Sequence, residues 1–237
     1  MIRYFRWPVT FDAAKLKQEL NLLTAEWQGH YNKSHYEGDW SLLPLRSIGG
    51  SVTSGFAVGN NVTGNTYQDT VLLKQCPYMQ SVIDFFPCEK TSVRLMKLSA
   101  GAVIKEHSDH SLCVEEGELR LHVPVQTHED VHFFLEDTRI PMNEGGCYYL
   151  NLTFPHSVKN ESPVDRVHLV IDCLVNDQIK QLLEEPAFRE SMQFGRQRVE
   201  KRDDETTRRM IEELLRQDTP AARQLAEELG RELEQPL

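Results

Sequence analysis

Between Val93 and Cys173, apolar side chains recur at every second position in short runs, and turn-forming residues separate the runs. Alternation with period two sends successive side chains to opposite faces of a strand. The pattern predicts strands over 93–98, 103–107, 118–126, 131–135, 147–152, 156–158 and 166–173, with turns at Ser99-Ala100-Gly101, Glu136-Asp137 and Gly145-Gly146. Short strands at this spacing predict an antiparallel barrel or sandwich, and the expected core of this mainly β chain is a jelly roll, a double-stranded β-helix.

The flanks have a different texture. A short strand is expected over Ile2–Arg6, then an N-cap at Thr10 and a helix from Phe11 to Trp27 with Leu16, Leu20 and Leu23 on one face. Residues 29–65, rich in Gly, Ser, Asn and aromatics, read as a long irregular stretch of loops and short strands, the kind of segment that carries binding function. Met79, Val82, Ile83 and Phe86 give a second helix over 77–86, stopped by Pro87. After Asp177 a helical period returns through Leu182 and Leu183, then Met210, Ile211, Leu214 and Leu215, then Leu225, Leu229 and Leu233. These faces are expected to pack on the body or to form a homodimer. The chain therefore divides into a jelly-roll domain over 1–176, with N-terminal helical and loop elements, and a helical extension over 177–237. The charged stretch from Gly195 to Thr207 reads as a linker or exposed helix start.

Composition narrows the function classes. A net charge of −10 with no basic cluster argues against nucleic acid or an anionic membrane as partner, and no segment has the length of a membrane span. Five scattered cysteines without a Cys-x-x-Cys pair argue against a disulfide framework or zinc ribbon. A cytoplasmic protein with a small-molecule substrate is the expectation.

The candidate chemistry lies inside the alternating block. His107 and Asp109, two apart on an extended strand, can point at one metal ion, and His156 would complete a set of two imidazoles and a carboxylate. That set leaves coordination positions open and suits non-haem Fe(II) used for oxygen chemistry. His110 would face away from His107, and His128 and His132 flank a polar turn, so none of the three is expected to ligate. Two strands repeat Arg-x-His: Arg120 and His122 oppose Leu119, Leu121, Val123 and Val125, while Arg166, His168 and Asp172 oppose Val167, Leu169, Ile171 and Cys173. A half-solvated strand would show the same pattern. Two such strands, each beside a metal-ligand candidate, favour a polar interior, where a buried arginine needs an anion. A chelating oxo-acid could take two open metal positions and O2 the third, with its distal carboxylate on the fork of Arg166.

These residues resemble the aspartyl/asparaginyl beta-hydroxylase family of Fe(II)- and 2-oxoglutarate-dependent dioxygenases, and its bacterial branch with free-proline cis-4-hydroxylases in particular. The resemblance is carried by Gly101-Ala102-Val103-Ile104 before His107-Ser108-Asp109, by Arg120-Leu121-His122-Val123-Pro124, by Tyr149-Leu150-Asn151 before Phe154-Pro155-His156, and by Asp165-Arg166-Val167-His168-Leu169. It extends back through Gly38-Asp39-Trp40 and Leu45-Arg46-Ser47 and covers roughly residues 1–175. It implies that His107, Asp109 and His156 hold iron, that Arg166 binds the far carboxylate of 2-oxoglutarate, and that Arg120 and His122 lie in the cosubstrate pocket, where the Arg-x-His pattern also groups His168. The reaction implied is hydroxylation of an unactivated C–H bond coupled to decarboxylation of 2-oxoglutarate to succinate. Trp40, Arg46, Arg94 and Asn151 are the candidates for binding the prime substrate, a small amino acid or related carboxylate. A residue within a peptide or carrier-bound substrate is the alternative; a non-oxygenase, cupin-like metal protein is a second.

Overall fold

The computed structural model describes residues 1–53, 66–109, 112–194, 204–217 and 219–234. Its elements run β1 (Ile2–Thr10), α1 (Ala13–Leu22), β2 (Gln28–Gly29), β3 (Tyr36–Glu37), β4 (Trp40–Ile48), β5 (Tyr67–Asp69), α2 (Pro77–Asp84), β6 (Lys90–Leu98) and β7 (Val103–His107). They continue with β8 (Glu118–Gln126), β9 (Val131–Leu135), β10 (Thr138–Arg139), β11 (Gly146–Leu150), β12 (His156–Asn160), β13 (Arg166–Leu174), α3 (Asp177–Glu184), α4 (Pro186–Arg189), β14 (Gln193–Phe194), α5 (Asp204–Gln217) and α6 (Pro220–Glu234). One sheet has the order β14-β1-β11-β8-β13-β6-β4-β2, with β5 beside β4, and the other has the order β10-β9-β12-β7-β3. All the pairings are antiparallel, the arrangement of a jelly roll.

The central strands of the larger sheet, β8, β13, β6 and β4, are buried on both faces, and this decides how their alternation is used. Leu119, Leu121, Val123 and Val125 of β8 and Val167, Leu169, Ile171 and Cys173 of β13 join Leu16, Met79, Ile83, Ile179 and Phe188 in a core between the sheet and helices α1 to α4. A fully buried side chain of this size contributes roughly 1.5–3 kcal/mol. The opposite face meets the smaller sheet, where Trp40, Leu42, Met96, Ile104, Phe133, Leu135, Val158 and Val170 form a second core. Arg120, His122, Arg166, His168 and Asp172 point into that second space and are at most 8% exposed. The half-solvated reading of these strands is thereby excluded.

Three sequence expectations are corrected. β1 runs on to Thr10, with Pro8 inside a register shift between Trp7 and Thr10, so the missing N–H breaks no ladder bond. The N-cap is Asp12, which accepts from the backbone N–H of Ala14 at 3.0 Å and of Lys15 at 3.1 Å; the helix ends at Leu22, where Leu23 turns extended. The stretch 29–65 is not irregular throughout. Residues 40–48 form a nine-residue interior strand between β2 and β6, with Pro44 again beside a register shift. Gly38 allows this strand to start: its φ is +83°, and a Cβ there would lie 2.8 Å from Ala102 Cβ. Residues 54–65 of that stretch lie outside the described residues.

The apolar faces of α5 and α6 pack on the body: Met210, Leu214, Ala222, Leu225, Ala226 and Leu229 cluster with Ile48 and Tyr67. Most of the charged linker, 195–203, is outside the described residues, and from Asp204 it is helix. Among the described residues, no helix is long and apolar enough to cross a membrane.

Candidate active site

His107 ends β7 and His156 begins β12, and the two are direct cross-strand partners. This register places their rings 4.3 Å apart between centroids. Each ring turns Nδ1 to a backbone carbonyl two residues upstream, His107 to Lys105 O at 2.7 Å and His156 to Phe154 O at 3.1 Å. A carbonyl oxygen only accepts, so Nδ1 carries the proton and Nε2 presents its lone pair. That is the tautomer a metal needs. Asp109 lies two residues beyond His107, its backbone N–H held by Leu152 O at 2.8 Å, and its Oδ1 is 3.7 Å from His107 Nε2. The three residues bring ligand atoms within 4.8 Å of one another.

Behind the carboxylate stands a buried charge network. Arg120 Nη1 donates to Asp109 Oδ2 at 2.9 Å, while its Nε and Nη2 grip Asp172 at 2.7 and 3.0 Å. Arg94 Nη2 donates to the same Asp172 carboxylate at 2.8 Å. Burial pushes the Asp109 carboxyl upward, but His156, Arg120 and His107 outweigh it and hold it below the ordinary range. Burial, with the neighbouring His107, pulls His156 down to about 4, so it is neutral at pH 7 and able to ligate.

Among the described residues Arg166, unlike Arg94 and Arg120, makes no ion pair with a carboxylate. Its Nη2 donates to His168 Nδ1 at 2.9 Å, and its Nε has no partner among the described residues. Both ring nitrogens of His122 and the Nε2 of His168 are likewise without partners there. Burial alone pulls Arg166 down to about 9, which still leaves it cationic at neutral pH. Burial, followed by the adjacent Arg166 charge, holds His122 and His168 well below their usual range. An arginine fork with an unused donor beside two neutral imidazoles has the chemistry to receive an anion.

All this opens on one cavity of about 210 Å³, whose lining includes the three ligand candidates, Arg120, His122 and Arg166. Trp40 and Arg94 line it as well. His168 stands behind Arg166. Arg46 and Asn151 do not line the cavity, contrary to expectation. Arg46 is engaged by Asp69 Oδ1 at 2.7 Å and Lys90 O at 3.1 Å, on the β4 flank. Asn151 is fully buried, donates to Ile2 O and accepts from Thr153, which shapes the turn leading to His156. His128 and His132 sit against Asp130 and Glu161, away from the ligand set, and His110 lies outside the described residues.

The sequence reading missed His30, Tyr31, Thr206 and Met210, which also line the cavity. His30 stacks on Trp40 at 3.6 Å and 15°, and burial pulls its pKa down to about 3, with Arg94 adding to the effect. A histidine among Gly, Asn and Tyr in a loop carries no periodic signal. Its stacking partner lies ten residues on, and only the fold joins the two.

The model of the family described as Aspartyl/Asparaginyl beta-hydroxylase matches residues 10–175. The L-proline cis-4-hydroxylase of Rhizobium meliloti is 30% identical over 175 residues, covering 73% of this chain; the match spans 61% of that relative's length. Among solved structures, an oxidoreductase of the 2OG-Fe(II) oxygenase family from Burkholderia pseudomallei aligns with 73% of this chain and 88% of its own, at 13% identity and a TM-score of 0.47. A Pseudomonas putida prolyl-4-hydroxylase aligns with 74% of this chain and 94% of its own, at 9% identity and a TM-score of 0.45. The match to the family model covers well over half of the sequence, and this chain belongs to the aspartyl/asparaginyl beta-hydroxylase family.

Proposed function

We propose that the chain is an Fe(II)- and 2-oxoglutarate-dependent dioxygenase that hydroxylates an unactivated C–H bond of a small, proline-like amino acid. The observation that carries the reading is the pairing of a two-histidine, one-carboxylate set within 4.8 Å with an arginine fork that has no counter-anion among the described residues, in the same cavity. The donor set fits Fe(II), which favours imidazole and carboxylate, and the unused donors of Arg166 fit a dicarboxylate.

In this reading His107, Asp109 and His156 hold the iron, and Arg166, steadied by His168, takes the distal carboxylate of 2-oxoglutarate. With both bound, they supply the chemistry by which O2, 2-oxoglutarate and a C–H bond become succinate, CO2 and a C–OH group. Arg120 then acts through Asp109: clamped by Asp172, it holds the carboxylate at a fixed angle. His122 adds a neutral donor beside the anion. Burial of these groups excludes water and strengthens each interaction. The jelly-roll domain over 1–176 is the catalytic unit and 177–237 its extension. The packing of α5 and α6 against Ile48 and Tyr67 favours attachment to the body over a homodimer. The cytoplasm, being reducing, suits both Fe(II) and five free cysteines.

The test is a panel of free amino acids, L-proline among them, set against peptides containing the same residues, with succinate as the readout. Stimulation by a free amino acid supports the reading; stimulation by peptides alone moves the substrate into a polypeptide. Metal-independent or absent succinate formation removes the dioxygenase.

A further inference from the structure

The family model ends at residue 175, yet the cavity is partly walled by residues far beyond it. Thr206 and Met210 lie four apart on α5, hence on one face, and both line the cavity. Two independent contacts seat the helix. Met210 and Leu214 pack with Ile48 and Tyr67 of the body. Arg209 donates to Asn32 Oδ1 at 2.5 Å and to Ser34 Oγ at 3.3 Å. Asn32 is only 3% exposed and also bonds His35, whose ring lies 4.6 Å from that of His107. The helix is thereby pinned to the loop whose residues line the cavity beside the metal ligands.

We propose that α5 is a specificity wall: Met210 and Thr206 set the size of the prime substrate. The inference rests on the dioxygenase reading. Within that reading, Asp172 engages Arg94 and Arg120 and the cosubstrate takes Arg166, so the rest of the lining is mainly apolar or aromatic, with Trp40, Met96, Phe133, Val170 and Met210 beside the imidazoles of His30 and His35. Such a wall recognises a compact apolar body by fit. The thioether of Met210, flexible and polarisable, packs well against a small aliphatic ring. An enclosed cavity of roughly 150 Å³ admits benzene. The volume of about 210 Å³ here is shared by cosubstrate and prime substrate, which makes the position of one side chain on α5 decisive. One methylene more or less in such a pocket changes selectivity by about 10–200-fold.

The test has two arms. In the first, the six methionines of the full chain are labelled with ¹³C-methyl, the Met210 signal is assigned by its loss in Met210→Leu, and Ni(II) is added as a short-range paramagnetic probe. Met96 also lines the cavity and serves as the internal reference, while Met79 and Met192, in the outer core, serve as distant controls. Broadening of both Met96 and Met210 supports the inference. Broadening of Met96 without Met210 overturns it and leaves the metal site standing; broadening of neither removes the metal site and the inference with it.

In the second arm, kcat/KM is measured for L-proline and for L-pipecolate, one methylene larger in the ring. Met210→Ala should shift the ratio toward L-pipecolate by about 10-fold, and Met210→Trp should shift it the other way. An unchanged ratio in both variants, with succinate still formed, overturns the specificity wall. Loss of amino-acid-dependent succinate already in the unmodified chain overturns the underlying reading.

Discussion

Asp172→Asn tests how the site is held together. Asp172 is 1% exposed and accepts three bonds from two guanidinium groups: Arg120 Nε at 2.7 Å, Arg120 Nη2 at 3.0 Å and Arg94 Nη2 at 2.8 Å. Charge-assisted bonds are worth roughly 1.5–3 kcal/mol each, but three bonds to one carboxylate are not additive. The better bound is the cost of breaking a buried ion pair, about 3–5 kcal/mol, because two buried cations are left facing a neutral amide. Asparagine keeps the volume, so no cavity is added. For a chain of this length, 1 kcal/mol corresponds to roughly 2–4 °C, giving a fall in Tm of about 6–20 °C. The assay is calorimetric melting at pH 7 in chelator, with Asp130→Asn on the surface as control. Loosening Arg120 also releases Asp109, so Ni(II) affinity should fall by about 10–100-fold, as for other groups that orient ligands. A Tm change under about 2 °C with unchanged Ni(II) affinity would refute the claim that Asp172 anchors the site.

Arg166→Lys keeps the charge and loses the fork, so the apparent affinity for 2-oxoglutarate should fall by roughly 1–3 kcal/mol; an unmoved KM for 2-oxoglutarate would assign Arg166 another task. His30, His122, His156 and His168 all have lowered pKa values in the fold, so the unfolded chain binds more protons as pH falls below about 6.5. Stability of the metal-free protein should therefore drop on acidification toward pH 4 by about 1.4 kcal/mol per pH unit for each histidine that stays neutral. Urea midpoints that are flat between pH 7 and 5 would contradict this. Arg46→Ala, at a partly exposed pair with Asp69, should cost no more than about 1 kcal/mol and leave the ratio of hydroxylation to 2-oxoglutarate consumption unchanged. A selective loss of coupling would restore Arg46 to the substrate site.

The polar face of β8 and β13 was legible because period two is unambiguous there, and Arg-x-His twice over has no use on an apolar interior face. His107, Asp109 and His156 were legible through their spacing and the turns between them, although the cross-strand register that joins His107 to His156 is a property of the sheet. The strand at 40–48 was hidden because Pro44 and the Gly- and Asn-rich flanks read locally as loop, while the burial of Leu43 and Leu45 on one face and Trp40 and Leu42 on the other is a tertiary outcome. Arg46 and Arg94 look alike in sequence. The fold gives one to Asp69 on the flank and the other to Asp172 in the interior. The role of α5 was beyond sequence pattern, since an amphipathic face says that something is covered and not what.

Running the reaction under ¹⁸O2 with Fe(II), 2-oxoglutarate and the free amino acid that stimulates it follows both oxygen atoms through the site. One labelled oxygen is expected in succinate and one in the hydroxylated amino acid, in equal amounts, with both signals lost in His156→Ala. Succinate formed without a labelled hydroxyl product, or turnover that survives His156→Ala, would contradict the dioxygenase reading.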